Sequence, residues 1–247
     1  MRTSRPLLQS TSMDMPFTRH YTEPTLAHWQ TLLDADGPLP AGPPWRHGYP
    51  ARLRDGRVLV LPIRQLASDP TLAVASLICN QAALDVVDAL AAQLAQSLRP
   101  QAPQLIIGLP TLGLALVPGV ARGLGHTRYA PLGYSRKFWY DEALSAPVSS
   151  ITSPGLGKRV YLDPNLLPLV AGQRVALVDD AISTGTTALA VWDLIERLGA
   201  EVVAYGVAMR QGKRWADLLG PKRAAKVISV FDSPLLRAVP EGWVERE

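Results

Sequence analysis

Two adjacent carboxylates followed by a run of hydroxyl groups are the residues of this sequence best suited to chemistry. Asp179 and Asp180 precede a short turn of small and hydroxyl-bearing residues, Ser183, Thr184, Gly185, Thr186 and Thr187. Hydroxyls and backbone N–H groups at the start of a helix bind phosphate, and a glycine lets the backbone approach it. The acid pair suits ribose hydroxyls or a hard cation such as Mg²⁺. We therefore interpret residues 183–187 as a phosphate-binding turn, called the phosphate turn below.

Helix caps and surface charge are common uses of the same residue types, but the flanking sequence argues against both. Residues 175–178 are a short uncharged run that is typical of a buried parallel strand. Downstream, apolar residues recur at helical spacing, at Leu189, Val191, Leu194, Ile195 and Leu198. Two acids at the end of a buried strand, followed directly by this turn, indicate a ligand site.

A second strand, turn and helix resemble the first in layout. Residues 105–109 predict a buried strand, residues 114–124 predict a helix, and the turn between them contains Thr111, Leu112 and Gly113. Ligands of open α/β sheets bind at the carboxyl ends of the strands, so we expect the two turns to lie side by side.

Strands and helices alternate through most of the chain. Further strands are predicted at residues 58–61, 128–132, 158–162, 202–209 and 226–231, and a long helix is predicted from about residue 70 to residue 98. This alternation favours an α/β fold in which a parallel sheet has helices on both faces.

Composition and charge exclude several function classes. Of the 247 residues, 47% are hydrophobic and 19% are charged, which predicts a packed core. The net charge of +4 is too small to indicate nucleic-acid binding, although it suits anionic substrates. The single cysteine, Cys79, cannot form an internal disulfide, and we expect it to be a core residue in a reducing compartment. We expect no membrane span and no signal peptide.

Residues 135–154 lack a clear period and begin with the basic pair Arg136 and Lys137. A long irregular segment inside a compact domain is typical of a functional lid. We expect the basic pair to clamp an anionic group of the ligand.

The acid pair and the phosphate turn together resemble the 5-phosphoribosyl-1-pyrophosphate (PRPP) binding motif of the type I phosphoribosyltransferases. The similarity runs from about residue 76 to residue 209 and is strongest to the adenine and xanthine branch. Residues 76–81 resemble the segment that carries a base-contacting Asn in xanthine enzymes, and Arg136 with Lys137 resembles the pair that opens their flexible loop. The resemblance implies an α/β fold with a mostly parallel five-stranded sheet, helices on both faces, a hood and a flexible lid loop.

The same resemblance implies the activity and its setting. The protein would be a Mg²⁺-dependent enzyme of the cytoplasm that transfers the phosphoribosyl group of PRPP to a purine base and releases pyrophosphate. A homodimer is implied, with no nucleic-acid or membrane partner. Residues 1–48 would form a proline-rich arm, residues 49–98 a hood strand and helix, residues 100–231 the core, and residues 232–247 a tail.

Site roles follow from the resemblance residue by residue. Asp179 and Asp180 would hold the ribose hydroxyls, directly or through water on Mg²⁺, and would act with Arg136 and Lys137 as the catalytic set. The phosphate turn would bind the 5′-phosphate. Backbone groups of Thr111, Leu112 and Gly113 would hold pyrophosphate. The base would be contacted by Asn80, Gln211 and Phe231.

The chain also departs from the family pattern, and the departures keep alternatives open. Residues 149–154 lack the Glu that adenine enzymes carry in the lid, and Arg210 or Gln211 stands where xanthine enzymes place a base-reading Lys. One alternative is a non-catalytic sensor of PRPP, and another is a transferase acting on a non-purine nucleophile. Arg136 and Lys137 favour catalysis, because a sensor needs no clamp on the leaving group.

Overall fold

A computed structural model of the chain describes residues 27–148 and 158–246. In chain order its strands are β1 (Leu32–Leu33), β2 (Gly48–Arg52), β3 (Val58–Leu66), β4 (Asp69–Ala75), β5 (Leu105–Gly108), β6 (Ala130–Gly133), β7 (Ser145–Pro147), β8 (Arg159–Leu162), β9 (Arg174–Ile182), β10 (Glu201–Gln211), β11 (Val227–Ser233), β12 (Leu235–Val239) and β13 (Gly242–Glu245). Its helices are α1 (Leu84–Leu98), α2 (Val117–Gly123), α3 (Leu167–Val170), α4 (Thr186–Arg197) and α5 (Arg214–Ala224). Strands and helices alternate from α1 to β11 as the sequence predicts, except that β6, β7 and β8 follow one another.

The larger sheet positions the site. Its strand order is β11-β10-β9-β5-β6-β8-β7, and the first five of these strands run parallel. Its central strand β9 is fully buried from Val175 to Val178, because uncharged side chains there pack on both faces. The mostly parallel sheet is confirmed. It is longer than the five strands predicted, since β8 and β7 add two antiparallel strands beside β6.

Helices cover both faces of this sheet, which confirms the predicted α/β class. On one face, α1 and α2 pack together against apolar residues such as Ile106 and Val178. On the other face, α4 packs against residues such as Leu177 and Val207. Among the helices of the described residues, none has the length and apolar character needed to span a membrane.

A second, antiparallel sheet, called the hood sheet below, shares a hydrophobic cluster with α1. It runs in the order β1-β3-β4-β12-β13, with β2 also paired to β3. Buried residues of the hood sheet, including Leu59, Leu61 and Leu236, share one core cluster with Leu90 of α1 and Val230 of the larger sheet. The two sheets therefore share a hydrophobic core.

The predicted long helix over residues 70–98 is wrong in its first half. Strand β4 occupies Asp69–Ala75, and α1 begins only at Leu84. Ala73, Ala75 and Leu77 are buried at a period of two, with more exposed residues between them. A short apolar run fits a strand or a helix equally well by sequence, and pairing of β4 with β3 and β12 decides for the strand.

The predicted tail at residues 232–247 contains two strands, β12 and β13, which complete the hood sheet. Trp243 is 1% exposed, and its backbone exchanges hydrogen bonds of 2.8 and 2.7 Å with Trp45. In the predicted arm, β1 pairs with β3 and Trp29 is buried. Residues 1–26 lie outside the described part of the chain, and the division at residue 48 stays a prediction.

Candidate active site

The acid pair lies at the carboxyl end of β9, where the sheet opens toward the following turn. Asp179 is 8% exposed and both of its oxygens are engaged. The Tyr205 hydroxyl donates to Oδ2 at 3.1 Å, and the backbone N–H of Asp180 donates to Oδ1 at 2.9 Å. The Asp179 carboxylate is therefore held in one orientation, whereas Asp180 is only partly covered.

Burial makes this pair electrostatically costly in the protein alone. Desolvation raises the pKa of Asp179, although hydrogen bonds from Asp180 and Tyr205 oppose the rise. The pKa of Asp180 is raised well above its usual range, first by burial and then by the negative charge of Asp179. Such a pair is stabilised by a bound proton, by a cation or by hydroxyl donors.

The donor set at the acid pair suits Mg²⁺ only if the ligand supplies oxygens as well. Two carboxylates are hard oxygen ligands, and Mg²⁺ commonly binds to one or two of them together with phosphate oxygens and water. Among the described residues, no group of three or more His, Cys, Asp or Glu side chains could hold a metal ion. The residues present therefore fit a metal that arrives with a phosphorylated ligand.

The phosphate turn connects β9 to α4. Gly185 is the residue before α4 and has φ of 85°, a left-handed conformation that disfavours other residues. A Cβ atom there would also lie 3.1 Å from the Trp215 backbone. The hydroxyls of Thr184 and Thr186 lie 3.2 Å apart. Hydroxyls and the N-terminus of α4 thus converge on one turn, as an anion site requires.

Residues 110–113, called the pyrophosphate loop below, lie directly against the acid pair. β5 and β9 are neighbouring parallel strands, which brings the ends of both to the same edge. A Cβ atom on Gly113 would lie 2.7 Å from the Asp179 Cα and 2.9 Å from its Oδ1. Only glycine permits this approach, so the two predicted turns do lie side by side. The peptide bond between Pro110 and Thr111 is cis.

Arg136 and Lys137 follow β6 at the same edge of the sheet and are exposed. The Arg136 guanidinium pairs with Glu142 at 2.9 Å. The predicted irregular segment is partly regular, because residues Glu142–Leu144 form a helical turn and β7 follows it. Three residues are too few to show a period in sequence. Residues 149–157, which hold the rest of the predicted lid, lie outside the described residues.

Of the three predicted base-contacting residues, Asn80 is the exposed one, and it lies in the turn Cys79–Gln81. Neighbouring Cys79 is a buried core residue, and its thiol pKa is raised by burial and by the charges of Asp180 and Asp179. The turn that carries Asn80 therefore borders the site.

Gln211 and Phe231 are engaged within the protein. The Gln211 amide donates to the Ala75 carbonyl at 2.9 Å, which ties the end of β10 to the hood sheet. Phe231 is 3% exposed in the shared core, so a base could stack on its ring only if core side chains moved. Arg210 forms a two-pronged ion pair with Asp232, with both distances 2.7 Å.

Two tyrosines near the acid pair were missed by the sequence analysis. Tyr205 lies within the apolar strand β10, and Tyr134 lies just after β6. Burial and the charges of Asp179 and Asp180 raise the pKa of Tyr134, which places its phenol in the field of the pair. The Lys158 ammonium lies 5.7 Å from the centre of the Tyr134 ring. The only feature of the sequence that could have indicated Tyr205 is its hydroxyl-bearing side chain within an otherwise apolar strand.

Comparisons with known proteins agree with this geometry. A family model described as a phosphoribosyl transferase domain matches residues 74–233. The chain is 33% identical to a xanthine phosphoribosyltransferase of Chloroflexus aurantiacus over 146 residues, which cover 59% of this chain and 67% of that protein. It is 33% identical to an adenine phosphoribosyltransferase of Oenococcus oeni over 138 residues, which cover 56% of this chain and 73% of that protein.

One solved structure supports the fold. It is an APRTase from Giardia lamblia complexed with 9-deazaadenine, with a TM-score of 0.50 and 18% identity. The match covers 60% of this chain and 80% of that chain. At this identity the likeness bears on the fold alone.

Proposed function

The chain belongs to the phosphoribosyl transferase family, and on that premise we propose that it transfers the 5-phosphoribosyl group of PRPP to a purine base and releases pyrophosphate. The observation that carries the proposal is the contact between the pyrophosphate loop and the acid pair, with the phosphate turn following on the same strand. PRPP carries a 5-phosphate, a ribose and a pyrophosphate in that order. The phosphate turn, the acid pair and the pyrophosphate loop offer a matching order of groups.

In this proposal the protein's own residues bind and orient ribose C1, the pyrophosphate oxygen that leaves it and the base nitrogen that attacks it. The phosphate turn holds the 5-phosphate, and Asp180 with Asp179 accepts hydrogen bonds from the ribose hydroxyls. The bond from ribose C1 to pyrophosphate breaks, a bond from C1 to a base nitrogen forms, and the N–H proton of the base passes to the departing pyrophosphate or to water. Backbone groups of the pyrophosphate loop, with Arg136 and Lys137, stabilise the charge that develops on the leaving group.

Mg²⁺ is part of the proposal, with Asp179 and Asp180 as its protein contacts, in part through water. When bound, the ion would neutralise charge on the pyrophosphate. The raised pKa values of the two carboxyl groups support this assignment, since a cation offsets the repulsion that burial creates.

A purine is proposed as the acceptor because the similar curated proteins are named adenine and xanthine phosphoribosyltransferases. Asn80 is the proposed base contact that the structure leaves exposed beside the acid pair. Gln211 and Phe231 stay predictions, and both would have to release their present contacts. We further propose a homodimer in the cytoplasm, where a buried free thiol such as Cys79 stays reduced.

The test is pyrophosphate release from Mg²⁺-PRPP, measured separately with adenine, guanine, hypoxanthine, xanthine, uracil and orotate. Release that depends on one purine would establish the transferase and identify its substrate. Release with a pyrimidine alone would replace the purine assignment. PRPP binding without release for any base would favour the sensor, and no PRPP binding would refute the proposal.

A further inference from the structure

We propose that Tyr205 is a positioning residue that fixes the orientation of the Asp179 carboxylate, so that the acid pair meets the ligand in one geometry. The inference rests on the proposed transferase function and adds a residue to its site. It follows from the way the two neighbouring acids differ in their surroundings.

Both oxygens of the Asp179 carboxylate are already in contact with protein. Tyr205 donates to Oδ2 at 3.1 Å, and the Asp180 N–H donates to Oδ1 at 2.9 Å. The backbone at Gly113 approaches so closely that a Cβ atom would lie 2.9 Å from Oδ1. Asp179 therefore has one preferred orientation, and the Tyr205 hydroxyl is a buried side-chain donor to it.

Tyr205 can act as a fixed donor because it is itself immobilised. The residue is 1% exposed, and β10 holds it opposite Leu177 of β9. Its ring stacks on Trp192 of α4, with centroids 6.4 Å apart and an interplanar angle of 8°. Trp192 in turn donates to Glu196 at 2.7 Å. Since α4 begins at the phosphate turn, the stack links the orientation of Asp179 to the helix that carries the phosphate site.

The hydroxyl, and not the ring, is the feature that needs explanation. A phenylalanine would fill the same apolar space, and burying a phenol without a partner costs free energy. Asp179 is the partner of this phenol, as the 3.1 Å bond shows. The hydroxyl has no other hydrogen bond among the described contacts, so its role lies with the acid.

Loss of the hydroxyl should weaken the handling of PRPP and leave the base site unchanged. A hydrogen bond to a charged group contributes enough to change an equilibrium by about tenfold or more. We expect Tyr205→Phe to lower kcat/KM for PRPP by about 10- to 100-fold and to weaken binding of Mg²⁺-PRPP in calorimetry. The KM for the purine base should change by less than about twofold.

Tyr49→Phe is the matched control. Tyr49 is a partly buried tyrosine whose hydroxyl contacts a carboxylate, Glu245, at 3.3 Å, but it lies in the hood sheet away from the acid pair. This variant should retain the kinetics of the unaltered protein. A loss in Tyr49→Phe equal to the loss in Tyr205→Phe would mean that any buried phenol matters equally and would overturn the proposal.

A double-mutant cycle separates positioning from general structural support. If Tyr205 acts through Asp179, then Tyr205→Phe should cost nothing further in an Asp179→Ala background. Additive losses would overturn the proposal. The double variant also covers the case in which Tyr205→Phe alone folds poorly, because it leaves neither partner buried without the other.

If the unaltered protein binds no PRPP, the proposed function fails, whereas unchanged PRPP kinetics in Tyr205→Phe refute the positioning role alone.

Discussion

At the scale of single residues, the acid pair combines a large electrostatic cost with the best candidate role in the molecule. Asp180 lies beside a buried carboxylate that is already held by Tyr205 and by the backbone. Raised pKa values at both Asp179 and Asp180 mean that their charged forms are unfavourable without a ligand. Carboxyl groups with perturbed pKa values are typical of functional sites. Substitutions at Asp180 should therefore separate activity from stability.

Asp180→Asn should lower kcat/KM for PRPP by about 100-fold, because an amide cannot supply the negative charge that ribose hydroxyls and a cation require. Steady-state pyrophosphate release measures the effect. Asp88→Asn on the exposed face of α1 is the control and should behave as the unaltered protein does. Unchanged kinetics in a folded Asp180→Asn protein would remove Asp180 from the site.

The raised pKa values also set the sign of a pH effect on the ligand-free protein. In the unfolded chain both aspartates have a pKa of about 3.9, whereas the folded protein raises both pKa values. As pH rises from about 4, the folded state retains a proton that the unfolded chain has lost, so the free energy of unfolding falls.

Asp180→Asn should remove most of this dependence. At pH 7 the Tm of this variant should exceed that of the unaltered protein, by about 2 to 4 °C for each kcal/mol by which its free energy of unfolding is higher. The difference in Tm should shrink toward pH 4. Thermal unfolding at several pH values, without PRPP or Mg²⁺, measures it. A difference that is constant across this range would show that Asp180 does not carry the raised pKa.

Sequence reasoning located the residues whose chemistry is local along the chain. Asp179 and Asp180 precede the phosphate turn directly, so their types and spacing sufficed. Tyr205 was missed because it reaches Asp179 across 26 positions of sequence, through the register of β9 and β10. The close approach of Gly113 to Asp179 likewise depends on the pairing of β5 with β9. Register cannot be derived from one strand alone.

At the scale of elements, the larger sheet was predictable, whereas only β3 of the hood sheet was predicted, at residues 58–61. Buried parallel strands have uninterrupted uncharged runs, which identified β5, β9 and β10. Strand β4 has a short apolar run that continues toward α1, so one helix fitted the whole segment. Strands β12 and β13 have mixed polarity because one face meets solvent, and only the pairing of β12 with β4 and of β13 with β12 identifies them.

Trp243→Ala tests whether β13 is integral to the fold. Trp243 is 1% exposed in the shared core, so truncation should lower the free energy of unfolding by about 3 to 5 kcal/mol. Trp139→Ala is the matched control, because Trp139 is 50% exposed and should cost less than about 1 kcal/mol. Urea unfolding measures both. Equal and small costs would mean that residues 242–245 behave as a tail after all.

The segment after β6 should respond to the ligand. Phe138 is 98% exposed beside Trp139, which offers sites for chymotrypsin, and Arg136 is tied to Glu142 by an exposed pair that contributes at most about 1 kcal/mol. The Arg136 side chain can therefore leave Glu142 and bind an anionic ligand at a small cost in free energy. Chymotrypsin cleavage at residues 138–140 should slow when Mg²⁺ and PRPP are added together, and not with Mg²⁺ alone. Equal cleavage rates would show that this segment does not close over PRPP.

At the scale of the whole molecule, one core joins the hood sheet to the site-bearing sheet. The cluster that contains Leu59 and Leu236 of the hood sheet also contains Val178, the residue before the acid pair. Contacts of this kind make separate unfolding of the two sheets unfavourable. A ligand bound at the end of β9 should therefore stabilise both sheets together.

Mg²⁺-PRPP at about 100 times its Kd should add about 2.7 kcal/mol to the free energy of unfolding, which corresponds to about 5 to 11 °C in Tm. Near-ultraviolet circular dichroism and tryptophan fluorescence should follow one transition, because Trp243 reports on the hood sheet and Trp192 lies between α4 and β10. Adenosine, which lacks the phosphate and pyrophosphate groups, is the control ligand and should shift Tm far less. If two separate transitions appear and Mg²⁺-PRPP shifts the Tm of only one, then the shared core does not couple the hood sheet to the site.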